Sequence, residues 1–282
     1  MEFNNLVFPA PTFNFNQLNH YMNELIYIPS NTSKESSFIP CLFLTTGINK
    51  ISKNFVIFFH GNAEDIFLSR TMAKSLLQSI NMNIVIVEYP GYSIFKGEPS
   101  AEVILQNTTI VYDYIKNKFH LEDKNIFVFG RSIGTSPAIY LASVRNPSAL
   151  FVVSSFTSIR AVAGNLVGPL KYLLKERFIS KDYILYVKCP VIFIHGKSDP
   201  LIPYTETLEL KNIYKNYSEV IIHPHMTHND FNLISDIVEP IGNFIKQKIE
   251  VEDEKIEFNK NDFKEWNKMP EEVDLYIKSK LK

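Results

Sequence analysis

Residues 127–143 read FVFGRSIGTSPAIYLAS, and this stretch decides the fold. Phe127, Val128 and Phe129 are strand formers, and the residues from Thr135 to Ser143 suit a helix. Only Gly130-Arg131-Ser132-Ile133-Gly134 stands between them, which leaves no room for a loop. A strand that turns straight into a helix forces its corner residue into a sparsely populated backbone state, tolerated only where the neighbours are very small. The two glycines remove the side chains that would collide with the returning helix, and the corner lifts the Ser132 hydroxyl clear of the sheet. The same corner aims the Ile133 amide, at the helix start, towards a developing oxyanion. An ordinary turn also fits the five residues alone; their place between strand and helix is what points to a nucleophile.

The rest of the chain repeats this rhythm. Short, nearly continuous apolar runs at 55–60, 84–89, 126–130, 150–154, 191–195 and 220–223 suit strands buried on both faces of a parallel sheet. Helical patterns at 67–80, 102–118, 132–144, 205–214 and 231–248 alternate with them. Strand and helix in alternation predict a doubly wound α/β sheet. Two runs at 24–30 and 38–46, separated by the polar NTSKESS, predict an antiparallel pair ahead of it. The segment 156–188 is too long for a plain connection and is expected to be a small lid insertion. The main domain is therefore expected over 1–248, followed by a charged C-terminal extension over 249–282. That extension is either a helical appendix docked through Phe263, Trp266, Leu275 and Ile277, or a poorly ordered tail.

Composition narrows the class. With 282 residues, 45% hydrophobic, 21% charged and a formal net charge of -1, the chain has the make-up of an ordinary globular protein. It shows no general attraction to nucleic acid or anionic lipid. Two cysteines, Cys41 and Cys189, are too few for a disulfide scaffold. No apolar run approaches the ~18 residues of a membrane helix. The start, MEFNNLVFPAPTF, lacks the basic and apolar regions of a signal peptide, and Glu2 stands where myristoylation needs glycine.

A serine hydroxyl needs a base to take its proton, and the base needs an acid to orient it. In a fold of this type the chain order is serine, acid, histidine. No carboxylate follows the run at 150–154, whereas HGKSDPLIP places Asp199 just past the run at 191–195. Asp199-Pro200 also reads as a turn, and Asp182 and Glu176 in the insertion are weaker alternatives. The next loop, EVIIHPHMTHNDF, offers His223, His225 and His228. His223 ends the strand, so the base is read as His228, with His225 the alternative. The spacing of the three histidines invites a metal reading, but no cysteine or glutamate motif completes a site, and neither metal nor cofactor is expected. The second oxyanion donor is expected after FVIFF, from the amide of Asn62 or Ala63, with His60 bonded to nearby backbone. The loop EYPGYSIFKGEPS offers Tyr92, Ile94 and Phe95 as pocket walls, with Phe156 a fourth, or as simple loop packing.

Taken together, HGNAED, EYPGYSIFKGEPS, GRSIGTSPAIYLAS, SSFTSIRAVA, CPVIFIHGKSDPLIPY and THNDF resemble, in this order, the α/β-hydrolase-domain-containing protein 17 family of protein depalmitoylases. Bud-emergence-type serine hydrolases share much of the pattern. The resemblance covers about residues 6 to 246, and the early VFPAPTFNF is similar to that family's proline-aromatic stretch. It implies an α/β-hydrolase fold, a mostly parallel eight-stranded sheet with helices on both faces. It also implies a serine hydrolase that frees palmitate from protein cysteines, with Ser132 as nucleophile, Asp199 as acid and His228 as base. The substrate is then an S-acylated protein or a small acyl ester, in the cytoplasm or at the cytosolic face of membranes. One departure is that no cysteine precedes Cys41, whereas the family carries a cysteine-rich, lipidated N-terminus. The rivals are a general carboxylesterase, a small serine peptidase, or a catalytically silent binding module of the same fold.

Overall fold

The structure is a computed structural model describing residues 8–33, 35–167 and 175–281. Two compact units divide it: Glu122–Glu252 forms one, and the described residues up to Leu121 together with those from Asp253 onward form the other. A mostly parallel eight-stranded sheet carries the fold. It runs in the order β1-β2-β5-β4 through the unit that holds the N-terminal half, and β6-β7-β8-β9 through the other.

In the N-terminal unit, β1 (Leu25–Pro29) and β2 (Phe38–Leu44) form the expected antiparallel pair, with Leu25 opposite Leu42. Next, β2 pairs antiparallel with β5 (Asn83–Val87), and β5 pairs parallel with β4 (Phe55–Phe59). Both β4 and β5 are buried along their whole length, which is why their sequences are continuous apolar runs rather than alternating ones. A helix covers Arg70–Ile80 and ends on Asn81 in a left-handed cap; another covers Ala101–Lys118 and starts under the Ser100 side chain, which accepts from the Val103 amide.

The charged extension is docked on this unit. Its first residues form β10 (Lys255–Glu257), which pairs antiparallel with the three-residue β3 (Lys50–Ser52). Helices follow at Lys260–Trp266 and Glu271–Lys280. The Trp266 ring lies 5.2 Å from that of Phe43 and 5.7 Å from that of Phe119. The Glu272 carboxylate accepts from the Ser37 amide at 2.7 Å and the Ser36 hydroxyl at 3.0 Å. One expected anchor is corrected: Leu275 is 59% exposed, and Val273 and Ile277 are the buried positions of the last helix. Leu275 follows Val273 by two residues, which puts it on a different face of that helix.

In the unit Glu122–Glu252 every strand pairing is parallel. The strands β6 (Ile126–Arg131), β7 (Ala149–Val153), β8 (Val191–Gly196) and β9 (Ser218–His223) lie side by side, with Phe127 opposite Ala149, Leu150 opposite Val191 and Val191 opposite Ser218. Crossover helices cover Thr135–Val144, Tyr204–Ile213 and Glu239–Lys248. The last is preceded by a wider π-type turn over Leu233–Val238, opened by the Asn232 side chain. Within the expected insertion, helical turns cover Ile159–Val167, Ser180–Tyr183 and Ile184–Tyr186; residues 168–174 lie outside the described residues. Among the described residues no helix is long and apolar enough to cross a membrane. Cys41 and Cys189 are free and buried, and burial pushes the Cys189 thiol up to about 12.

Candidate active site

β6 ends at Arg131, and the corner follows at once. Ser132 holds φ +52°, the left-handed region that an L-residue occupies only under strain. A tight helical turn over Ser132–Gly134 passes into the helix Thr135–Val144, and the Thr135 hydroxyl donates to the Ser132 carbonyl at 2.7 Å. Gly130 makes the corner possible: a Cβ there would stand 2.3 Å from the Gly134 carbonyl oxygen and 2.8 Å from the Ala138 Cβ. Ile133 is buried in the first turn, so its amide sits at a helix start beside the serine.

The structure brings Ser132, His228 and Asp199 together. His228 Nε2 is 2.9 Å from Ser132 Oγ, and His228 Nδ1 is 2.7 Å from Asp199 Oδ2. The three side chains are 6–8% exposed, enough to meet a substrate and too little to be bathed in water. His225, the alternative base, is exposed, and His223 Nδ1 faces Asp236 at 3.9 Å. Glu176 faces Arg160 at 3.4 Å instead of a histidine.

Asp199 is fixed from all sides. Its Oδ1 accepts from the Leu201 and Ile202 amides, both at 2.9 Å. Burial alone would raise its pKa; hydrogen bonds from His195, His228 and the Ile202 amide outweigh that and hold the carboxyl well below the usual carboxylate range. The Asp199 turn is in turn stitched to the base loop. The Lys197 amide donates to the His223 carbonyl at 2.9 Å, and the Ser198 hydroxyl to the Pro224 carbonyl at 2.9 Å. Gly196 lets the two segments approach so closely that a Cβ there would stand 2.0 Å from the Met226 carbonyl oxygen. Arg131, one residue before the serine, donates to the His228 carbonyl at 2.6 Å and to the Asn229 side chain at 2.9 Å.

A family model described as serine hydrolase (FSH1) matches residues 106–228, a span that runs through the Ser132 corner and ends on His228. Over that span the chain is similar to serine hydrolases, and its fold is that of an α/β-hydrolase. Among its relatives, alpha/beta hydrolase domain-containing protein 17B of Homo sapiens is 27% identical over 220 residues, 78% of this chain and 75% of that protein. Alpha/beta hydrolase L404 of Acanthamoeba polyphaga mimivirus is 26% identical over 225 residues, 78% of this chain and 82% of that one. Among solved structures, the Pyrococcus furiosus esterase Pf2001 matches with a TM-score of 0.64 at 17% identity, covering 85% of this chain and 98% of that one. The last likeness is one of fold.

The other residues singled out in the sequence belong to the N-terminal unit, except Phe156. Asn62 is half-buried and Ala63 exposed in the loop after β4, and the Asn62 side-chain oxygen Oδ1 accepts from the Tyr92 hydroxyl at 2.8 Å. Tyr92, Ile94, Phe95 and Phe156 expose 1% of their surface or less, so they are packed side chains rather than the walls of an open cleft. Apolar residues in a loop fit either role, and only their burial distinguishes them.

His60 has more to hold than backbone. Its Nδ1 meets the Gly61 carbonyl at 2.9 Å, and its Nε2 meets Glu88 Oε1 at 3.0 Å. Both ring nitrogens face acceptors, so both carry protons. Burial alone would lower the His60 pKa; the hydrogen bond and charge of Glu88 outweigh it and raise it. Glu88 also accepts from the Tyr89 and Ile66 amides and the Ser93 hydroxyl. This buried pair anchors the loop that carries Asn62 and Ala63.

Asp65, at the end of that loop, is the second carboxyl near Glu88. Burial, then the Glu88 charge, pushes it up to about 6, against the Phe67 and Leu68 amides that favour its ionised form. A carboxyl raised on folding adds stability that is complete below its unfolded value, near 4, and lost as the pH rises through about 6. In Asp65→Asn the amide oxygen still accepts from the two backbone amides, but no charge forms. The unfolding free energy of the variant relative to wild type should therefore rise by about 1–3 kcal/mol between pH 4 and pH 8. Denaturant titrations at the two pH values check this; an unchanged difference would remove Asp65 from the pH dependence.

Two residues near the site escaped the sequence reading, His195 and Thr207. The signal for His195 is the spacing in HGKSD, where a histidine stands four residues ahead of the acid; Thr207 leaves none.

Proposed function

We propose that the hydrolase cleaves acyl thioesters and esters through an acyl-enzyme on Ser132, with S-acylated protein cysteines as its substrates. The observation that carries the acyl-transfer reading is the unbroken line from Ser132 Oγ through His228 to Asp199, at 2.9 and 2.7 Å. His228 takes the Ser132 proton as the hydroxyl attacks the carbonyl carbon. The Ile133 amide stabilises the oxyanion. His228 then protonates the departing thiolate or alkoxide, and water repeats the cycle to release the acid. Asp199, ionised throughout, orients the ring and stabilises its charged form.

The thioester preference is supported by the ordered set of motifs that resemble the depalmitoylase family. A thiolate leaves readily, so this chemistry leans less on His228 as an acid than amide hydrolysis does. The test is a panel at equal concentration: an S-palmitoylated peptide, a short-chain ester and an unmodified peptide. We expect the acylated peptide to give the highest kcat/KM. Faster hydrolysis of the short ester would make the protein a general carboxylesterase, and preferred cleavage of the peptide bond would make it a peptidase.

A further inference from the structure

We propose that His195 is a positioning residue for the Asp199–His228 pair, held in one tautomer by Thr207 so that its Nε2–H faces the same carboxylate oxygen that His228 uses. The inference rests on the acyl-transfer reading above and adds one residue to it.

His195 ends on the sheet side of the acid, where it is wholly buried. Its Nε2 faces two oxygens, the Ile202 carbonyl at 2.9 Å and Asp199 Oδ2 at 3.4 Å. Neither oxygen carries a proton: one is a carbonyl, and the other belongs to a carboxyl held ionised. Nε2 must therefore be the protonated nitrogen, its hydrogen shared between the two. The opposite nitrogen, Nδ1, meets the Thr207 hydroxyl at 2.7 Å, and Thr207 Oγ1 in turn meets the Ser155 hydroxyl at 2.6 Å. Thr207 Oγ1 also lies 3.2 Å from the Ser155 carbonyl, farther than its 2.7 Å contact with Nδ1; with Ser155 donating to Thr207 and Thr207 donating to the nearer Nδ1, the proton on Nε2 points at the acid. The hydrogen bonds then run in one direction from Ser155 to Asp199, and a second series runs from Ser132 through His228 to the same oxygen.

This arrangement does two things. It adds to the donors around the carboxylate: Oδ1 already has two amides, and among the described residues Oδ2 otherwise has only His228. It also limits how strongly Oδ2 draws a proton onto His228, since a carboxylate with an additional donor is a weaker base. Two charged groups on neighbouring elements are engaged elsewhere. From β6, the Arg131 guanidinium sits on the His228 carbonyl. From the helix Tyr204–Ile213, Glu206 is taken up by the Thr157 amide at 3.0 Å and by the Thr157 hydroxyl. His195 is thus the group through which the acid is tuned from the sheet side.

The test reads the pH profile of inactivation by a fluorophosphonate probe, which reports the serine and its base without needing the natural substrate. In His195→Phe the donor is gone and the carboxylate becomes more basic, so the base holds its proton to higher pH. We expect the acidic limb to move up by about half to one pH unit. The plateau rate should fall by about tenfold as the imidazole loses its fixed orientation. Because removing a buried histidine can unfold the chain, Thr207→Val gives a second arm. It frees Nδ1 from its partner and should move the limb in the same direction by less, and Thr207→Ser should restore the wild-type profile. A purely packing role predicts lower thermal stability with an unmoved limb and plateau in both His195→Phe and Thr207→Val; that result overturns the proposal. If the wild type itself does not react with the probe, the acyl-transfer reading falls instead.

Discussion

Ser132→Ala is expected to lower turnover by about 10⁴- to 10⁶-fold and to abolish labelling by a serine-directed probe, while the protein stays folded. Only the hydroxyl is lost. The Asp199 and Arg131 bonds that fix the His228 loop do not depend on it. The backbone makes the comparison sharper. Ser132 sits at φ +52°, a conformation that costs any residue with a Cβ roughly 1–2 kcal/mol and glycine almost nothing. Ser132→Gly should be equally inactive yet melt above Ser132→Ala. The two variants separate the strain stored at the corner from the chemistry done there. A Ser132→Ala protein that keeps its activity would place the nucleophile elsewhere.

The second large effect is expected from a single methyl group. In Gly130→Ala the new Cβ would meet the Gly134 carbonyl oxygen at 2.3 Å and the Ala138 Cβ at 2.8 Å. The first contact is with backbone, so no rotamer change relieves it; the strand and helix must part. Overpacking of this kind costs about 1–3 kcal/mol and more where backbone has to move, which for a chain of this size lowers the melting temperature by about 5–10 °C. The fraction that folds should also be slow. Parting the corner displaces Ser132 from His228, and a misplacement near 1 Å costs about 10² in rate. Thermal denaturation and probe labelling of the purified variant measure both parts. A variant with wild-type melting and labelling would mean that the corner is looser than the contacts around Gly130 imply.

The sequence carried the corner because it combines three independent local signals, a strand, two small residues and a helix, within nine positions. Asp199 and His228 were legible for another reason: chain order in a parallel sheet restricts which loops reach the serine's edge. Other features left no such trace. The pairing of β3 with β10 joins two three-residue segments some 200 positions apart, and neither is long enough to show a period. The His60–Glu88 pair joins two strand ends that are neighbours only after β4 and β5 have registered. Helical periodicity runs through 231–248 without revealing that its first turn is of the wider π type, because the apolar spacing barely differs. Tyr92, Ile94 and Phe95 look identical as pocket walls and as packing until their burial is known.

The seam around Gly196 has a mechanical consequence. Acid and base are borne on segments laced together by backbone bonds, so any flexing of this region carries imidazole and carboxylate along as a single rigid part. What remains to vary is the gap between that part and the alcohol, and the Arg131 bonds to the base loop hold it within a narrow range. Readiness for attack therefore reduces to one adjustable length rather than two.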